Sequence, residues 1–469
     1  MTESTRRPRA LLLNPPFPDL VIRDYYCSKT TKSNYIFQSV DLVTLSGRLH
    51  ERYDLTLIDA VVDRLEPETC LARALDCRPD VVVFMTGAVS WEEDFPFLLR
   101  LKDGLPPGTR FIGSGDIFQE EGERWLQEHA FIDLALRDFS NADALHFLDG
   151  RDELLENAIW RRDGQVRSQA TKRARSGFFD LPMPRQELFV NPRYHFSFVR
   201  RSPFVTMLTD FGCPYPCSFC IQSTLGNKFR SVDSVMEELR HVRSLGVKEI
   251  FFQDQTWGVN RERNLEICRR MVSEGMDFGW VTFCRVDIID DEALRVWKAA
   301  GCHTLMFGVE FADPEMLKRY RKGYRPDQIA RGLKVAQALG IRTVGTFLLG
   351  LPEETRETLE ATAGLACELP LDFASFNVAV PRYGTLLRGQ AKQEGLIDDL
   401  RSMDQSGAQV AMATRHLTQA QVLELKQKAV RRFYLRPRYL WRRLWTLASW
   451  WEFKSQIQEG FALIWRNWF

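Results

Sequence analysis

The chain has almost no net charge and no long apolar run. Its 63 Lys and Arg residues are balanced by 62 Asp and Glu residues, which gives the 469 residues a formal net charge of +1 at pH 7. A balance this even argues against a nucleic-acid-binding protein. No segment reaches the ~18 apolar residues that a membrane-spanning helix needs. The start, MTESTRRPRA, also lacks the apolar stretch of a secretory signal, so we expect a cytoplasmic protein.

Cysteine is scarce, and most of it is scattered. Seven of the ten cysteines stand singly: Cys27, Cys70, Cys77, Cys268, Cys284, Cys302 and Cys367. Single cysteines are most often small buried hydrophobic residues, and a reducing cytosol argues against a disulfide framework. These cysteines form no second closely spaced pair, whereas a structural zinc site commonly uses two such pairs.

The remaining three cysteines, Cys213, Cys217 and Cys220, lie together in the run GCPYPCSFC. Full cysteinyl ligation of a 4Fe–4S cluster takes four cysteines, so three would leave one iron open. An open position on a catalytic metal is where a substrate or cofactor binds. We therefore predict that these three cysteines are the metal ligands of a catalytic 4Fe–4S cluster. A structural zinc site on a membrane-associated scaffold is the non-enzymatic alternative.

Strand-like and helix-like segments alternate after the cysteine run. The predicted strands are 205–209, 248–254, 279–283, 303–309, 342–350 and 373–380, and the predicted helices are 231–246, 261–273, 290–300, 326–339 and 353–368. Six such units predict a partial parallel (β/α)6 barrel of the TIM type rather than the closed eight-unit form. Chemistry in these folds collects at the carboxyl ends of the strands.

The first 150 residues show a different pattern. Five short apolar runs, each separated by a segment of helix length, are found at 9–16, 53–60, 79–88, 109–115 and 131–138. This pattern predicts a doubly wound, Rossmann-like parallel sheet. The GSG at 113–115 lacks the full G-x-G-x-x-G context, so a nicotinamide site is weakly supported. The loop after the first run carries Tyr25, Tyr26 and Cys27, which either face a substrate cavity or are solvated.

The run GCPYPCSFC resembles the cluster loop of radical S-adenosylmethionine (SAM) enzymes, and FGVEF (307–311), GTFLLGLPEET (345–355) and PRYGT (381–385) match later segments of that family in order. The resemblance spans roughly residues 195–395. It implies that the methionyl group of SAM chelates the open iron. An electron from the cluster, supplied by a donor of the flavodoxin or ferredoxin type, would then generate a 5′-deoxyadenosyl radical that abstracts hydrogen.

The same resemblance implies a set of SAM-binding residues: Phe219, Asp254, Arg285, Glu310, Gly350 and Leu351. Phe219 would lie beside adenine, Glu310 would meet the methionyl amine or the ribose, and the turn at 350–351 would pass close to adenine. The run QDQ (253–255) departs from the family's usual Gly-Gly-Glu or paired acids. Asp254 either accepts from the methionyl ammonium or caps a helix, and Arg285 either binds the carboxylate or pairs with Asp287.

A doubly wound sheet ahead of the cysteine run resembles the cobalamin-binding subclass of radical SAM enzymes. The positions implied for cobalamin are Asn14, Asp59, Thr86, Ser90, Gly113 and Gly115. The chain lacks the Asp-x-His-x-x-Gly motif, so a histidine of that motif cannot be the lower ligand of cobalt. LRDFSNAD (136–143) also stands where the subclass usually has Gly-Glu. The alternative is a degenerate sheet retained for substrate binding or packing.

The C-terminal region differs in charge from the rest. Residues 415–469 carry eleven Lys or Arg against three Glu, and six of the twelve tryptophans follow Pro437. Thr418 with Gln421 forms a capping box that predicts a helix to about Phe433. Basic, Trp-rich amphipathic segments lie in the headgroup plane of membranes. The region therefore either contacts the inner face of the membrane, covers the barrel mouth or packs as a helical cap.

Taken together, four regions are predicted: a Rossmann-like cobalamin-binding domain (1–150), a linker (151–202), a radical SAM partial barrel (203–395) and a basic helical region (396–469). The predicted reaction is cobalamin-dependent C-methylation of an unactivated carbon in a hydrophobic small molecule, such as a lipid, an isoprenoid or a natural product. Relatives with the same domains carry out cyclisation, oxidation or carbon–carbon bond formation, and these reactions are the alternatives.

Overall fold

A computed structural model describes residues 6–30, 35–170, 177–397, 403–404 and 409–445. The strands are β1 (Arg9–Asn14), β2 (Asp54–Asp59), β3 (Val81–Met85), β4 (Arg110–Ser114), β5 (Leu134–Leu136), β6 (Asn157–Arg162), β7 (Gln165–Ala170), β8 (Val205–Met207), β9 (Asp210–Gly212), β10 (Asn227–Phe229), β11 (Glu249–Phe252), β12 (Gly279–Cys284), β13 (Cys302–Glu310), β14 (Arg342–Leu349) and β15 (Phe373–Val378). The α-helices are α1 (Val40–Leu49), α2 (Pro67–Asp76), α3 (Trp91–Gly104), α4 (Phe118–Glu128), α5 (Asp143–Leu148), α6 (Val232–Ser244), α7 (Arg261–Ser273), α8 (Asp291–Ala299), α9 (Pro314–Arg319), α10 (Pro326–Ala338), α11 (Arg356–Glu368), α12 (Leu386–Gln393), α13 (Gln419–Tyr434) and α14 (Pro437–Trp445).

The first sheet has the order β2-β1-β3-β4-β5-β6-β7. Its first five strands are parallel, as the apolar runs predict. Alternate residues of β1 face opposite layers, because Leu12 packs with α1 and α5 whereas Leu11 and Leu13 pack with α2, α3 and α4. Helices therefore cover both faces, and we call this sheet with its helices the N-terminal unit. The doubly wound architecture is confirmed.

The hairpin β6–β7 extends the first sheet by two antiparallel strands. It lies inside the predicted linker 151–202, so that region contributes structure to the N-terminal unit. The apolar pattern does not predict this hairpin, because most residues of β7 are exposed and polar, so apolar and polar residues do not alternate along it. Part of the predicted basic stretch, 171–176, lies outside the described residues.

The second sheet has the order β15-β14-β13-β12-β11-β8, and all its strands are parallel. Helices α6 to α8, α10 and α11 connect successive strands, which confirms the predicted partial barrel of six units. We call this sheet with its helices the barrel. Most strand boundaries agree with the prediction to within two residues, because each strand is a buried apolar run bounded by a glycine, a charged residue or a helix.

The interior of the barrel is filled at its base by aromatic side chains. Phe251, Val281 and Met306 point inward from three neighbouring strands. Phe196 stacks on Phe251 with ring centroids 4.4 Å apart. Phe37, from the loop between β1 and α1, meets Phe251 edge-on at 5.4 Å. The N-terminal unit and the predicted linker therefore both contribute to the barrel core.

The C-terminal helix α13 packs on α11 and β15 through buried residues such as Leu425 and Phe433. Its predicted capping box is present, since the Thr418 hydroxyl accepts from the backbone of Gln421 and the Gln421 side chain accepts from the backbone of Thr418. The described helices include none that is long and apolar enough to cross a membrane. Most of the Trp-rich segment, residues 446–469, lies outside the described residues.

Candidate active site

The three predicted cluster cysteines lie in a loop closed by a short antiparallel ribbon. β9 and β10 pair, and the backbone N–H of Cys213 donates to the Gly226 carbonyl at 2.9 Å. Gly212 has φ +81°, and a Cβ at this position would collide with that same carbonyl. A residue with a side chain would therefore open the ribbon. The Ser223 hydroxyl donates to the Cys220 carbonyl at 2.7 Å and fixes the far end of the loop.

The three thiols share one largely buried space. Burial, and next the charge of Cys217, raise the pKa of Cys220 to about 12. Burial likewise raises the pKa of Cys213, and Cys217 again contributes. A bound cation offsets the cost of burying thiolate charge, so metal binding would favour the deprotonated form. No three His, Cys, Asp or Glu side chains of the described residues converge tightly enough for a single ion. In a 4Fe–4S cluster each thiolate takes a different iron, and this donor set fits such a group.

Two hydroxyl groups contact the cysteine sulfurs. The Tyr26 hydroxyl lies 3.2 Å from Cys220 Sγ, and the Thr256 hydroxyl lies 3.5 Å from Cys213 Sγ. Tyr26 belongs to the β1–α1 loop and is 194 positions away in sequence. The N-terminal unit therefore reaches the cysteine loop directly. Tyr25 and Cys27 are buried, which excludes the solvated alternative for this part of the loop, whereas Lys29 is exposed.

Glu310 ends β13 and forms a buried ion pair with Lys322. Lys322 Nζ lies 2.8 Å from Glu310 Oε1, and the two side chains are 9% and 11% exposed. Burial is the largest effect and would lower the pKa of Lys322, but the attractions to Glu310, Tyr324 and Cys217 together outweigh it and the pKa is raised. Glu310 has φ +67°, where the register of β13 against β14 shifts. A non-glycine residue in this strained conformation is typical of functional sites.

Arg285 stacks on the cysteine loop. Its guanidinium carbon lies 3.7 Å from the centre of the Tyr215 ring. Arg285 donates two hydrogen bonds to Asp287, at 2.9 and 2.8 Å, and a third to the Lys322 carbonyl at 2.7 Å. The pair with Asp287 that the sequence offered as an alternative is therefore present, and it is buried. Arg285 braces Tyr215 and the backbone beside Lys322.

Asp254 is fully buried behind the cysteine loop. Its carboxylate accepts from the backbone N–H groups of Thr209 and Asp210 at 2.6 and 3.1 Å, and also from the Thr209 hydroxyl. Burial raises its pKa, and these hydrogen bonds oppose the rise. The helix-capping alternative is wrong, because Asp254 hydrogen-bonds the segment that leads from β8 into the cysteine loop, and the next helix, α7, is capped by Asn260.

Phe219 and the segment after β14 both contact Tyr320, whose hydroxyl donates to Glu353. Phe219 is half-buried and meets the Tyr320 ring at 6.3 Å. Gly350 has φ +90°, and the N–H groups of Gly350 and Leu351 donate to Glu354 at 2.6 and 2.9 Å. Burial raises the pKa of Glu354 to about 8. The predicted helix start at 353 is therefore wrong: Glu354 folds back onto the turn, and α11 begins at Arg356 behind an N-capping threonine.

Polar residues predicted for cobalamin form a closed network around Arg23. Arg23 donates to Asp94 at 2.6 Å, to Ser90 at 3.1 Å and to Asn14 at 2.7 Å. Asn14 donates in turn to Asp59 at 2.9 Å. All of these side chains are buried. Arg23 comes from the β1–α1 loop and closes the crevice at the carboxyl ends of β1 and β3, so these polar groups are already satisfied by protein partners.

The other three predicted positions are packed as tightly. Thr86 is fully buried; its backbone N–H donates to the Ser114 carbonyl at 3.0 Å, and its hydroxyl has no hydrogen-bond partner among the described residues. A Cβ on Gly115 would collide with the Thr86 carbonyl, and one on Gly113 would lie 2.8 Å from the Phe84 ring. These glycines allow β3 and β4 to pack against their neighbours.

The sequence of residues 208–366 matches the radical SAM superfamily. Residues 208–366 are a radical SAM domain. The predicted family is thereby confirmed, and the matched range contains the cysteine loop, Glu310 and the turn after β14.

Three relatives illustrate what surrounds such a domain. An uncharacterized methyltransferase of Pyrococcus horikoshii is 29% identical over 408 residues, which cover 85% of this chain and 88% of that protein. The hopanoid C-3 methylase of Methylococcus capsulatus is 27% identical, over 71% of this chain and 64% of that enzyme. An anaerobic magnesium-protoporphyrin IX monomethyl ester cyclase of Cereibacter sphaeroides is 27% identical, over 49% of this chain and 39% of that enzyme. The chain thus spans less than two thirds of the latter two.

Two solved structures share the fold over most of this chain. TsrM from Kitasatospora setae, a radical SAM methyltransferase with cobalamin and a 4Fe–4S cluster bound, has a TM-score of 0.66 at 16% identity and covers 83% of this chain and 78% of its own. OxsB, with aqua-cobalamin and SAM bound, has a TM-score of 0.65 at 16% identity; the match covers 97% of this chain and 72% of the OxsB chain. At these identities the likeness shows the fold, and it confirms the predicted order of a Rossmann-like unit before the radical SAM domain.

Sequence reasoning missed the residues that support the radical SAM domain from outside its motifs. Lys322 neutralises Glu310, Tyr26 contacts Cys220, and Arg382 of the PRYGT segment donates to Cys27 Sγ at 2.9 Å. Only the PRYGT segment carried a signal, because it matches a family turn. Lys322 lies only 12 residues from Glu310 but carries no motif, and the partner of Tyr26 lies 194 positions away.

Proposed function

We propose that this chain is a cobalamin-dependent radical SAM methyltransferase acting on an unactivated carbon of a hydrophobic small molecule. The observation that carries the proposal is the cysteine loop: three thiols share a buried space at the carboxyl ends of six parallel strands. Three relatives with methyltransferase or methylase names, from Pyrococcus, Methylococcus and Streptomyces laurentii, support methyl transfer.

In this proposal Cys213, Cys217 and Cys220 would hold the 4Fe–4S cluster. When bound, the cluster with SAM would supply the radical that removes hydrogen from the substrate, and methylcobalamin would supply the methyl group. Glu310 would meet the methionyl amine or the ribose of SAM, with Lys322 holding the carboxylate in place. Phe219 would lie beside adenine.

Arg285 and Asp254 take positioning roles in the proposal. The guanidinium group of Arg285 donates its hydrogen bonds to Asp287 and to the Lys322 carbonyl. Asp254 uses both oxygens on Thr209 and its neighbour. Each side chain is engaged with protein, so each would act on SAM through the loops that it holds. The turn at 350–351 keeps its proposed place near adenine.

Cobalamin binding rests on the order of the domains and on the relatives, and not on the predicted side chains. The side chains of Asn14, Asp59 and Ser90 have protein partners, so they stabilise the sheet edge rather than offer free polar groups. The Thr86 hydroxyl has no hydrogen-bond partner in the described part of the chain and is fully buried. The space beside Gly113 and Gly115 is filled by neighbouring protein atoms. No step is assigned to these six residues.

The interior of the barrel supports a hydrophobic substrate. Phe283 points into it from β12, one residue before the carboxyl end of that strand, and is partly exposed. Partly exposed aromatic rings that line an interior provide apolar contact area for a ligand. A flavodoxin- or ferredoxin-type electron donor and contact of residues 446–469 with the inner face of the membrane remain predictions.

Anaerobic purification with cobalamin supplied, followed by optical spectra and product analysis with methyl-labelled SAM, tests the proposal. We expect an iron–sulfur chromophore, bound corrinoid, 5′-deoxyadenosine and S-adenosylhomocysteine. A triple variant with Ala at Cys213, Cys217 and Cys220 is the matched control and should lose the chromophore. Protein that retains no corrinoid would contradict cobalamin dependence. 5′-Deoxyadenosine without S-adenosylhomocysteine would contradict methylation and favour a cyclase- or oxidase-type reaction.

A further inference from the structure

A run of basic residues lies between β13 and α10. Residues 318–325, KRYRKGYR, include five Lys or Arg and no Asp or Glu. Lys322 is buried against Glu310. The other four are exposed: Lys318, Arg319, Arg321 and Arg325. We call residues 318–325 the basic segment. Its charge is local, because the whole chain carries a net charge of only +1.

The basic segment is attached to the cysteine loop. The backbone N–H of Ser218, which stands between two predicted cluster ligands, donates to the Tyr320 carbonyl at 3.2 Å. Arg285, which lies over the Tyr215 ring, donates to the Lys322 carbonyl at 2.7 Å. These contacts hold the exposed charges beside the loop that would carry the cluster.

The cysteine loop itself reaches the protein surface. Pro214 and Pro216, which stand between Cys213 and Cys217, are both exposed. Cys213 and Cys220 are partly exposed, and Cys217 is buried. A protein that docks on the two prolines would therefore lie close to the cluster ligands. Since electron transfer between proteins requires close approach, an electron can enter from this face.

Two charges of the basic segment have no counter-ion. Arg319 and Arg325 each pair with a carboxylate. Among the described residues, no Asp or Glu forms an ion pair with Lys318 or Arg321. Uncompensated surface charge attracts a partner of opposite charge and raises its association rate. The face beside the cysteine loop therefore suits an acidic partner.

We propose that the basic segment and the exposed prolines of the cysteine loop form the docking surface for an acidic electron-carrier protein. One electron passes from the reduced carrier to the cluster, and the carrier leaves oxidised by one electron, with no bond formed or broken. The inference rests on the proposed function and adds the surface and the partner chemistry of its reductive step.

A weakly bound protein fits this surface better than a nucleic acid does. Electron-transfer complexes are small, commonly below about 1,200 Å² of buried surface, and their association depends on charge. Nucleic-acid binding relies on contacts to several phosphates. Only two cations of the basic segment, Lys318 and Arg321, are unpaired among the described residues, which suffices for the first kind of partner and not for the second.

The rate at which a carrier reduces the cluster tests this inference without turnover. Reconstituted protein without SAM is mixed anaerobically with a photochemically reduced, acidic bacterial flavodoxin, and the absorbance of the cluster is followed by stopped flow. The wild-type rate constant should fall at least about tenfold between ionic strengths of about 0.01 M and about 1 M, because salt screens the charges.

The double variant Lys318→Glu/Arg321→Glu should be reduced at least about tenfold more slowly than the wild type at the lower ionic strength, and at the wild-type rate at the higher one. In an NMR titration of isotope-labelled oxidised flavodoxin, the same variant should raise the Kd about tenfold. Reduced methyl viologen, a small cation, needs no docking surface, so its rate should not fall in the variant.

The matched control is Arg73→Glu/Arg78→Glu, which makes the same change of charge. Both arginines are exposed, Arg73 lies in the last turn of α2, and Arg78 follows that helix with φ +45°, much as Arg321 follows α9 with φ +55°. Arg78 precedes β3, at the edge of the first sheet opposite the β1–α1 loop. Flavodoxin should reduce this control at the wild-type rate.

Equal flavodoxin rates for the two double variants would overturn the docking surface, as would a wild-type rate that does not depend on ionic strength. A parallel loss with methyl viologen would place the effect in the cluster and also overturn it. If the first variant does not fold, Arg321→Gly replaces it, because glycine accepts φ +55°; it should slow flavodoxin alone. Wild-type protein that neither reductant reduces would contradict the cluster of the proposed function, on which the docking surface depends.

Discussion

At the scale of single residues, charges buried near the cysteine loop are stable only in pairs. Glu310 and Lys322 neutralise each other, and Arg285 is paired with Asp287. Replacing both members of such a pair by apolar groups is often tolerated, whereas removing one leaves an uncompensated charge.

Lys322→Met should lower the free energy of unfolding by about 3 kcal/mol, because it leaves the Glu310 carboxylate buried and unpaired. Urea unfolding measures this change. Combining Lys322→Met with Glu310→Gln should recover part of the loss. Arg325→Met is the control: Arg325 pairs with Asp327 on the surface, so its loss should leave the midpoint unchanged. Equal effects of Lys322→Met and Arg325→Met would refute the pairing argument.

Asp41→Asn should stabilise the protein above neutral pH. Burial raises the pKa of Asp41 from 3.8 to about 7, so the folded state binds this proton more tightly and loses stability as pH rises between those values. The variant lacks this loss and should exceed wild type by about 1–4 kcal/mol at pH 8, with little difference at pH 4. The neighbouring carboxyl group of Asp24 also raises the pKa of Asp41, so variant and wild type are compared at each pH.

Urea unfolding at pH 4, 6 and 8 checks this expectation. Glu68→Gln serves as the control, since the Glu68 side chain is 75% exposed and should give no pH-dependent difference. A stability difference for Asp41→Asn that stayed constant across the three values would show that the carboxyl does not titrate as described.

Residue identities could be predicted where a motif concentrates them, and not where contacts are distant. The cysteine spacing and the acid after an apolar strand pointed to Cys213 and Glu310 directly. Lys322 carries no motif and meets Glu310 only because a short helix, α9, returns the chain to β13. Tyr26 and Arg23 belong to a loop whose composition fits burial and exposure equally.

At the scale of elements, the apolar pattern of the sequence predicted the strand boundaries. It did not predict the turn before α11, which depends on a side chain that hydrogen-bonds to the backbone of the turn. The strands of the barrel were predictable because each is a buried apolar run. The start of α11 was not, because Glu354 bonds two backbone N–H groups of the preceding turn. A carboxylate two residues before a helix gives the same sequence signal whether it caps that helix or the turn.

Gly350→Ala should destabilise the turn after β14 by about 1–3 kcal/mol. The new Cβ would lie 2.8 Å from Val422 of α13, and φ at this position is +90°. Gly395→Ala separates the two causes, because Gly395 has φ +66° with no atom within 4 Å of the added Cβ; it should cost only about 1 kcal/mol.

A double-mutant cycle with Val422→Ala measures the steric part of this effect. Relieving the contact should give a coupling energy of about 1 kcal/mol between the two positions, read from urea unfolding of the four proteins. Additive effects would mean that α13 does not restrict the turn.

At the scale of the whole molecule, the N-terminal unit and the barrel are joined by buried polar contacts. Arg382 bonds Cys27 and lies 3.7 Å from Asp116. Arg388 of α12 pairs with Glu120 of α4 at 2.9 Å. These contacts tie α4 and the β1–α1 loop of the N-terminal unit to the segment that follows β15.

Tyr26→Phe should lower the reduction potential of the bound cluster by on the order of tens of millivolts, since a hydrogen bond to a ligand sulfur stabilises the reduced form. Spectroelectrochemistry of the reconstituted protein gives the value. Tyr25→Phe is the neighbouring control, because the Tyr25 hydroxyl donates to the Arg137 carbonyl instead. Identical potentials for Tyr26→Phe and wild type would exclude a hydrogen bond to Cys220.

The aromatic side chains that fill the base of the barrel limit how such proteins can exchange domains by recombination. Ile36 and His195 exchange two backbone hydrogen bonds, at 2.7 and 2.8 Å, and the rings beside them, Phe37 and Phe196, complete the barrel core. A recombination event that joined this barrel to another N-terminal unit would leave its base hollow unless residues near 36 were inherited with it. The two units are therefore expected to be transmitted together, as one heritable block.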